Sequence, residues 1–239
     1  MIGHIIGGGR IAAALTAAAA LLAAPVPALA GSFRVNPVRI ALAPDLPAAE
    51  LTLTNVEQAP VGVRVVALRW TQVNGQDVYE PTSDVIASPP IFTLSGGGTQ
   101  LIRLGLRTRR PGASYRIHVE EIPAAGEHSG IRVALKIDLP LHVLSEANAR
   151  PAIAWRVRRD AEGFLVAEAR NSGSGPGQVS ALEVQDGSGR SLATSRTRGT
   201  VLPGSTRVWR IGRADGAPAT LLVTTPDGVQ RSSIGALQP

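Results

Sequence analysis

An all-β fold of two sandwich-like domains is predicted by three features of the 239-residue sequence. Short runs of alternating apolar and polar residues recur at roughly 8–12-residue spacing, separated by Pro and Gly, which is the texture of a sandwich or barrel. No helix of useful length is apparent after residue 30. Finally, Ile131 to Val143 reads I-R-V-A-L-K-I-D-L-P-L-H-V, with an apolar residue at every odd position. Such a run gives an extended strand one wholly apolar face.

Residues 1–30 are set apart from the fold. Arg10 is followed by an apolar run from Ile11 to Ala24, then Pro25, Pro27 and a final Ala28-Leu29-Ala30. A basic start, a short apolar stretch and an A-x-A end describe a secretory signal peptide cleaved after Ala30. The run is shorter than the ~20 residues that span a bilayer, and no second segment of spanning length follows. The expected product is an exported protein of 239 − 30 = 209 residues without a stable membrane insertion.

The elements follow in order. Phe33–Leu42 reads as a first strand and Glu50–Asn55 as a second. Val61–Val73 is a long third, closed by Asn74-Gly75, a strong hairpin signal because both residues tolerate positive φ. Ile91–Leu94 and Gln100–Leu106 flank Gly96-Gly97-Gly98, and Tyr115–Ile122 comes next. Ser88-Pro89-Pro90 cannot continue a central strand, since two successive residues lack an N–H; it suits a chain crossing between sheets, with a cis bond before Pro89 as a candidate. The stripe at 131–143 completes about seven elements of an immunoglobulin-like domain, residues 31–146. Ser145–Pro151 is polar and reads as a linker into a smaller domain, 149–239. Its expected strands are Ala152–Arg158, Phe164–Arg170, Gln178–Gln185, Thr206–Ile211 and Thr220–Thr225.

The stripe allows two readings. A strand of ~13 residues would reach on the order of 43 Å, against the usual ~5–6 residues. It can be a long core strand of its own domain, or part of its apolar face can be kept for another protein.

Composition narrows the function. The chain has no cysteine, which removes thiol catalysis and Cys-based metal sites. Its net charge is +6, and +5 without Arg10, carried by 23 Arg and one Lys, Lys136. Aromatic residues are only 3% of the chain, so stacking platforms for nucleic acid are scarce. Arg64, Arg69, Arg103 and Arg132 alternate with apolar residues, as on the solvent face of strands. Neither nucleic acid nor a cofactor is expected. Of the histidines after residue 30, His118, His128 and His142, none lies in an H-E-x-x-H or nucleophile-elbow pattern. Glu120 and Glu121 are adjacent and so point oppositely on a strand, a poor acid/base pair. An enzyme is not expected, and no metal site.

One series of segments carries more. Trp70-Thr71-Gln72-Val73-Asn74-Gly75-Gln76-Asp77-Val78-Tyr79 is followed by Ser88-Pro89-Pro90-Ile91-Phe92, Gln100-Leu101-Ile102-Arg103-Leu104 and Tyr115-Arg116-Ile117-His118-Val119-Glu120-Glu121-Ile122-Pro123. In this order it resembles the PapD-like periplasmic pilus chaperones of chaperone–usher systems, over most of residues 33–143. The second domain matches only in size and β texture.

The resemblance implies two immunoglobulin-like domains in an L-shaped arrangement, in the periplasm. It implies that the last strand of the first domain is lent to a pilus subunit, itself an incomplete immunoglobulin-like fold, which is then delivered to an outer-membrane usher. Chaperone–pilin donor-strand complementation is a worked instance of strand addition. Ile131, Val133, Leu135, Ile137 and Leu139 are the expected donor residues. Five buried side chains at ~1.5–3 kcal/mol each give a gross term on the order of 7–15 kcal/mol, much of it offset by association and ordering.

Such chaperones also anchor the subunit's C-terminal carboxylate on basic residues between the domains, an Arg on the first strand and a Lys on the donor strand. Arg39 stands where the first falls. Pro140 occupies the lysine position, leaving Arg116 or Lys136 as substitutes. The short segment at 123–130 and the L-P-L-H-V ending resemble branches that assemble thin or spore-coat-type fibres. The alternative is that the chain is itself an immunoglobulin-like fibre subunit or surface adhesin, although the long alternating strand is internal here.

Overall fold

The computed structural model describes residues 33–123 and 134–235, and all their regular structure is β. Residues 1–30, expected to be a signal peptide, and His128, Ile131, Arg132 and Val133 lie outside the described residues.

In the first half, one sheet has the order β1 (Phe33–Asn36), β3 (Ala48–Asn55), β8 (Thr99–Leu106), β6 (Val85–Ser88). The facing sheet runs β2 (Ile40–Leu42), β10 (Lys136–Val143), β9 (Ser114–Ile122), β4 (Val61–Val73), β5 (Gln76–Pro81), with β7 (Ile91–Leu94) also on β4. The inner faces meet in a core of Leu51, Leu53, Ile102 and Leu104 against Val63, Ile117, Val119 and Leu141, all fully buried. At roughly 1.5–3 kcal/mol for each such side chain, this burial is the main favourable term holding the sandwich together.

The second half repeats the plan. Its sheets are β11 (Ile153–Arg159), β12 (Phe164–Asn171), β17 (Thr206–Arg213); β13 (Gly177–Val179) with β16 (Gly199–Val201); and β15 (Ser191–Ser195), β14 (Ala181–Asp186), β18 (Pro218–Thr225), β19 (Gly228–Ser233). Leu165, Ala167 and Trp209 pack there against Leu182, Val184, Leu221 and Val223. The fold is thus two immunoglobulin-like β-sandwiches in series.

Several expectations change in detail. The stretch 33–42 is two strands in different sheets, with cis Asn36-Pro37 between them; Ser88-Pro89 is also cis. Asn74 and Gly75 do form the β4–β5 hairpin, at φ 52° and 78°. Arg69 leaves the solvent face expected for it and pairs with Asp84, which also accepts from the Tyr115 hydroxyl at 3.2 Å. Arg64 and Arg69 are five residues apart on one strand, so they must face opposite ways. Gln178–Gln185 breaks into two strands, and β15, β16 and β19 add to the expected set.

Each half is fastened by one buried asparagine. Asn55 closes β3, donating to the Ala59 and Ser95 carbonyls at 2.8 and 3.2 Å and accepting from Glu57 N–H. Asn171 closes β12 with all four of its bonds made: it accepts from Ala152 and Gly173 N–H, both at 3.0 Å, and donates to the Gly175 and Val201 carbonyls. Asn171→Ala strands four backbone groups, two of them at the buried residues Gly175 and Val201, and should cost about 3 kcal/mol of stability. Urea unfolding followed by tryptophan fluorescence checks this; a loss under ~1 kcal/mol would contradict the assigned role.

Candidate functional site

The open edge of β10 is the first component. On one side β10 pairs with β9 throughout, from Lys136↔Glu120 to His142↔Ser114. On the other side β2 runs parallel to it, but only from Leu141 to Val143. Among the described residues no strand pairs with the second edge from Lys136 to Pro140. Odd-numbered residues turn their backbone groups to β9, as Glu121 N–H→Leu135 O and Val143 N–H→Ala113 O show, while Leu144 N–H bonds Leu42 O on the opposite side. Lys136, Asp138 and Pro140 therefore turn theirs to the open edge. Pro140 is tolerated there because its missing N–H faces no ladder partner.

The donor candidates divide along this strand. The expected thirteen-residue strand is observed as eight residues starting at Lys136. Leu139, Leu141 and Val143 are 3%, 0% and 1% exposed and belong to the chain's own core. Leu139 thus serves this fold, since β2 and the facing sheet close over that end of the strand. Ile137 is half-buried and packs only against the margin of the core, and Leu135, just before β10, is also half-buried. Among the described residues the apolar stripe is committed to the core from Leu139 onward and only half covered at Leu135 and Ile137.

Beyond Pro140 lies a cleft of ≈ 400 Å³ between the two halves. Arg39, Arg116 and Pro140 line it from the first half, and Ser180, Arg198 and Thr200 from the second. Arg39 sits in the link between β1 and β2 and is exposed. Arg116, on β9, lays its guanidinium 3.9 Å over the Trp70 ring and touches Asp138 at 3.7 Å, with its Nε buried and without a partner. The structure thus brings Arg39 and Arg116 together. It does not bring Lys136 to them: that ammonium lies 3.4 Å from Glu120, itself bonded by Arg64, whose hydrogen bonds hold the Glu120 carboxyl below its usual range. Arg198 was not singled out in the sequence, where T-R-G-T carries no signal beyond that of a loop.

The cleft exists because the halves are bolted together beside it. Gln72 donates to the Thr200 carbonyl at 2.7 Å and accepts from Leu202 N–H at 3.1 Å. Asp77 forms an ion pair with Arg207, both largely buried, and accepts from Trp70 Nε1 at 2.9 Å. Burial pushes the Asp77 carboxyl up, but the bonds from Arg207, Gln72 and Trp70 outweigh it and leave the group below its ordinary value. Val208 N–H bonds Gly75 O, and a Cβ on Gly75 would lie 2.5 Å from Val208 Cγ2, so the hairpin tip fits only as glycine.

Ser114 Oγ and His142 Nδ1 are 2.8 Å apart, but both residues are buried and His142 Nε2 meets no carboxylate. His118 stands between Glu120 and Asp138 at 3.8 and 3.7 Å; burial and Lys136 lower its pKa. Among the described residues no group of three or more His, Asp or Glu is placed to hold a metal ion.

Residues 32–144 match the family described as pili and flagellar-assembly chaperone, PapD N-terminal domain. No curated protein matches the chain in sequence. Among solved structures it is similar to a chain of the CsuC–CsuE chaperone–tip adhesion subunit pre-assembly complex, from archaic chaperone–usher Csu pili of Acinetobacter baumannii. The TM-score is 0.68 at 21% identity, over 87% of this chain and 100% of that one. A chain of the Salmonella enterica SafA pilin–SafB chaperone complex gives 0.62 at 12% identity, over 87% and 98%. The E. coli chaperone DraB gives 0.57 at 17%, over 87% and 97%. At these identities the likeness is one of fold.

Protonation of His142, buried beside Trp70, has a measurable signature. Burial, with the charges of Arg116 and Arg39, lowers its pKa from 6.5 to about 4. Between those values the unfolded chain takes up a proton that the folded chain refuses. Stability should therefore fall by up to ~1.4 kcal/mol per pH unit as pH drops through the window, and level off below it. His142→Gln should remove that slope in pH-dependent unfolding; an unchanged slope would contradict the assignment.

Proposed function

We propose that the chain, whose residues 32–144 match the family of PapD-type pilus-assembly chaperones, is a periplasmic chaperone that caps fibre subunits by lending them β10 and hands them to an outer-membrane usher. Residues 1–30 act as the export signal in this reading, and residues 31–146 and 149–239 as its two domains. The observation that carries it is the unpaired edge of Lys136–Pro140 with half-buried Leu135 and Ile137 beside it. An incomplete immunoglobulin-like subunit has the complementary defect, an apolar groove with a strand missing. Added main-chain hydrogen bonds supply affinity, and alternate side chains in pockets supply selectivity.

Ile131, Val133, Leu135 and Ile137 are the side chains proposed to enter the groove. Leu139 is omitted, because its side chain already lies in the chaperone's own core. Arg39 and Arg116 are proposed to hold the subunit's terminal carboxylate, for which a planar guanidinium offers paired hydrogen bonds.

The reading is tested by co-purification with the products of neighbouring genes. Leu135→Glu or Ile137→Glu should abolish capture and leave the free protein folded, whereas Leu139→Ala should destabilise the protein itself by about 2–5 kcal/mol. Capture that survives both glutamates sinks the donor-strand assignment. Arg39→Ala should weaken capture by roughly tenfold, the worth of one charge-assisted hydrogen bond; a loss no larger than that of Arg156→Ala, an exposed arginine of the second half, would exclude the anchor.

A further inference from the structure

We propose that Arg198, contributed by the second half, is a third cation of the carboxylate site and takes the place that Pro140 leaves without charge. The proposal rests on the chaperone reading and adds a residue to it.

A strand added to the open edge can pair with β10 from Lys136 to Pro140, but β2 occupies the same edge from Leu141 onward. The added chain must therefore end or turn away at Pro140, which lines the cleft. If it runs parallel to β10, what arrives there is its C-terminus, and a C-terminus carries a carboxylate.

The cleft is built for that charge. Its three charged lining residues are Arg39, Arg116 and Arg198, with no Asp or Glu among them. Arg39 and Arg198 have no ion-pair partner among the described residues, and buried Arg116 Nε has no hydrogen-bond partner. Convergent like charges repel unless an anion lies between them. Val179 and Pro226 add apolar wall, which suits the last residue of a peptide better than a hydrated inorganic ion.

Arg198 is held there by backbone. It immediately precedes β16, whose Thr200 carbonyl and neighbouring Leu202 N–H are both bonded by Gln72 of the first half. Gln72 thus helps position Arg198, and a bound carboxylate would add a further tie between the two halves.

The probe is N-acetyl-tetra-alanine with a free C-terminal acid, titrated against the full chain without residues 1–30 and read at the arginine Nε–Hε NMR signals. The acid should shift the Arg39, Arg116 and Arg198 signals saturably, and the C-terminal amide should not. Arg198→Gln should weaken binding roughly tenfold, with part of it regained in Arg198→Lys and amide spectra unchanged away from the cleft. If Arg198→Gln binds as the parent does while Arg39→Gln is weakened, Arg198 is not an anchor, although the carboxylate reading stands. If the acid shifts none of the three signals, the carboxylate reading falls with it. If inorganic phosphate binds as tightly as the acid, the cleft is a general anion site and the assignment to a chain terminus is overturned.

Discussion

Among the described residues, β10 is paired on both sides for only three positions, and the rest of the structure depends on that limit. From Leu141 to Val143, β10 lies between β9 and β2; from Lys136 to Pro140 it has β9 alone. Backbone groups on the second edge must find water or another chain, and exposed edges invite other strands. The side chains follow the same division. Leu139, Leu141 and Val143 are sealed in the core, while Ile137 and Leu135 are only half covered. The chain thus fixes one end of the strand firmly enough to present the other.

The second half defines the end of that edge. On an isolated sandwich, Arg116, Trp70 and His142 would lie on the outer, wetted face of the sheet. Here Trp70 is 1% and His142 7% exposed, under the stacked Arg116 guanidinium and beside the joint made by Gln72, Asp77 and Arg207. The joint makes an outer face into a cleft wall. It also sets arginines from both halves around one space, and the cost of gathering like charges is what gives that space its preference for an anion.

Much of the first half was legible in sequence because period-2 patterning and turn chemistry agree there. Val61–Val73 is observed with the expected bounds, and Asn74-Gly75 makes the expected turn. The misses have physical causes. Periodicity could not show where the stripe at 131–143 stops being paired, since an alternating segment reads alike whether or not a neighbour lies beside it. Arg69 lies an odd number of residues from the exposed Arg64 on β4, so it takes the opposite face and pairs with Asp84 instead of water. Arg39 and Arg116 stand at positions that the family resemblance marks, whereas the place of Arg198 depends on a contact 128 residues apart in the chain, Gln72 with Thr200 of β16, that no local pattern encodes. In the second half, short strands such as Gly199–Val201 are stabilised by their partners across the sandwich more than by their own sequence.

The central claim is that the backbone of Lys136 and Asp138 waits for a partner strand. Amide hydrogen exchange at these two residues, in the free protein and in complex with a co-purified subunit, measures it directly. The account predicts rapid exchange in the free protein, strong protection in the complex, and steady protection of Ile137 and Leu139, which bond β9 in both states. Slow exchange at Lys136 and Asp138 in the free protein, or no gain of protection on capture, would contradict it.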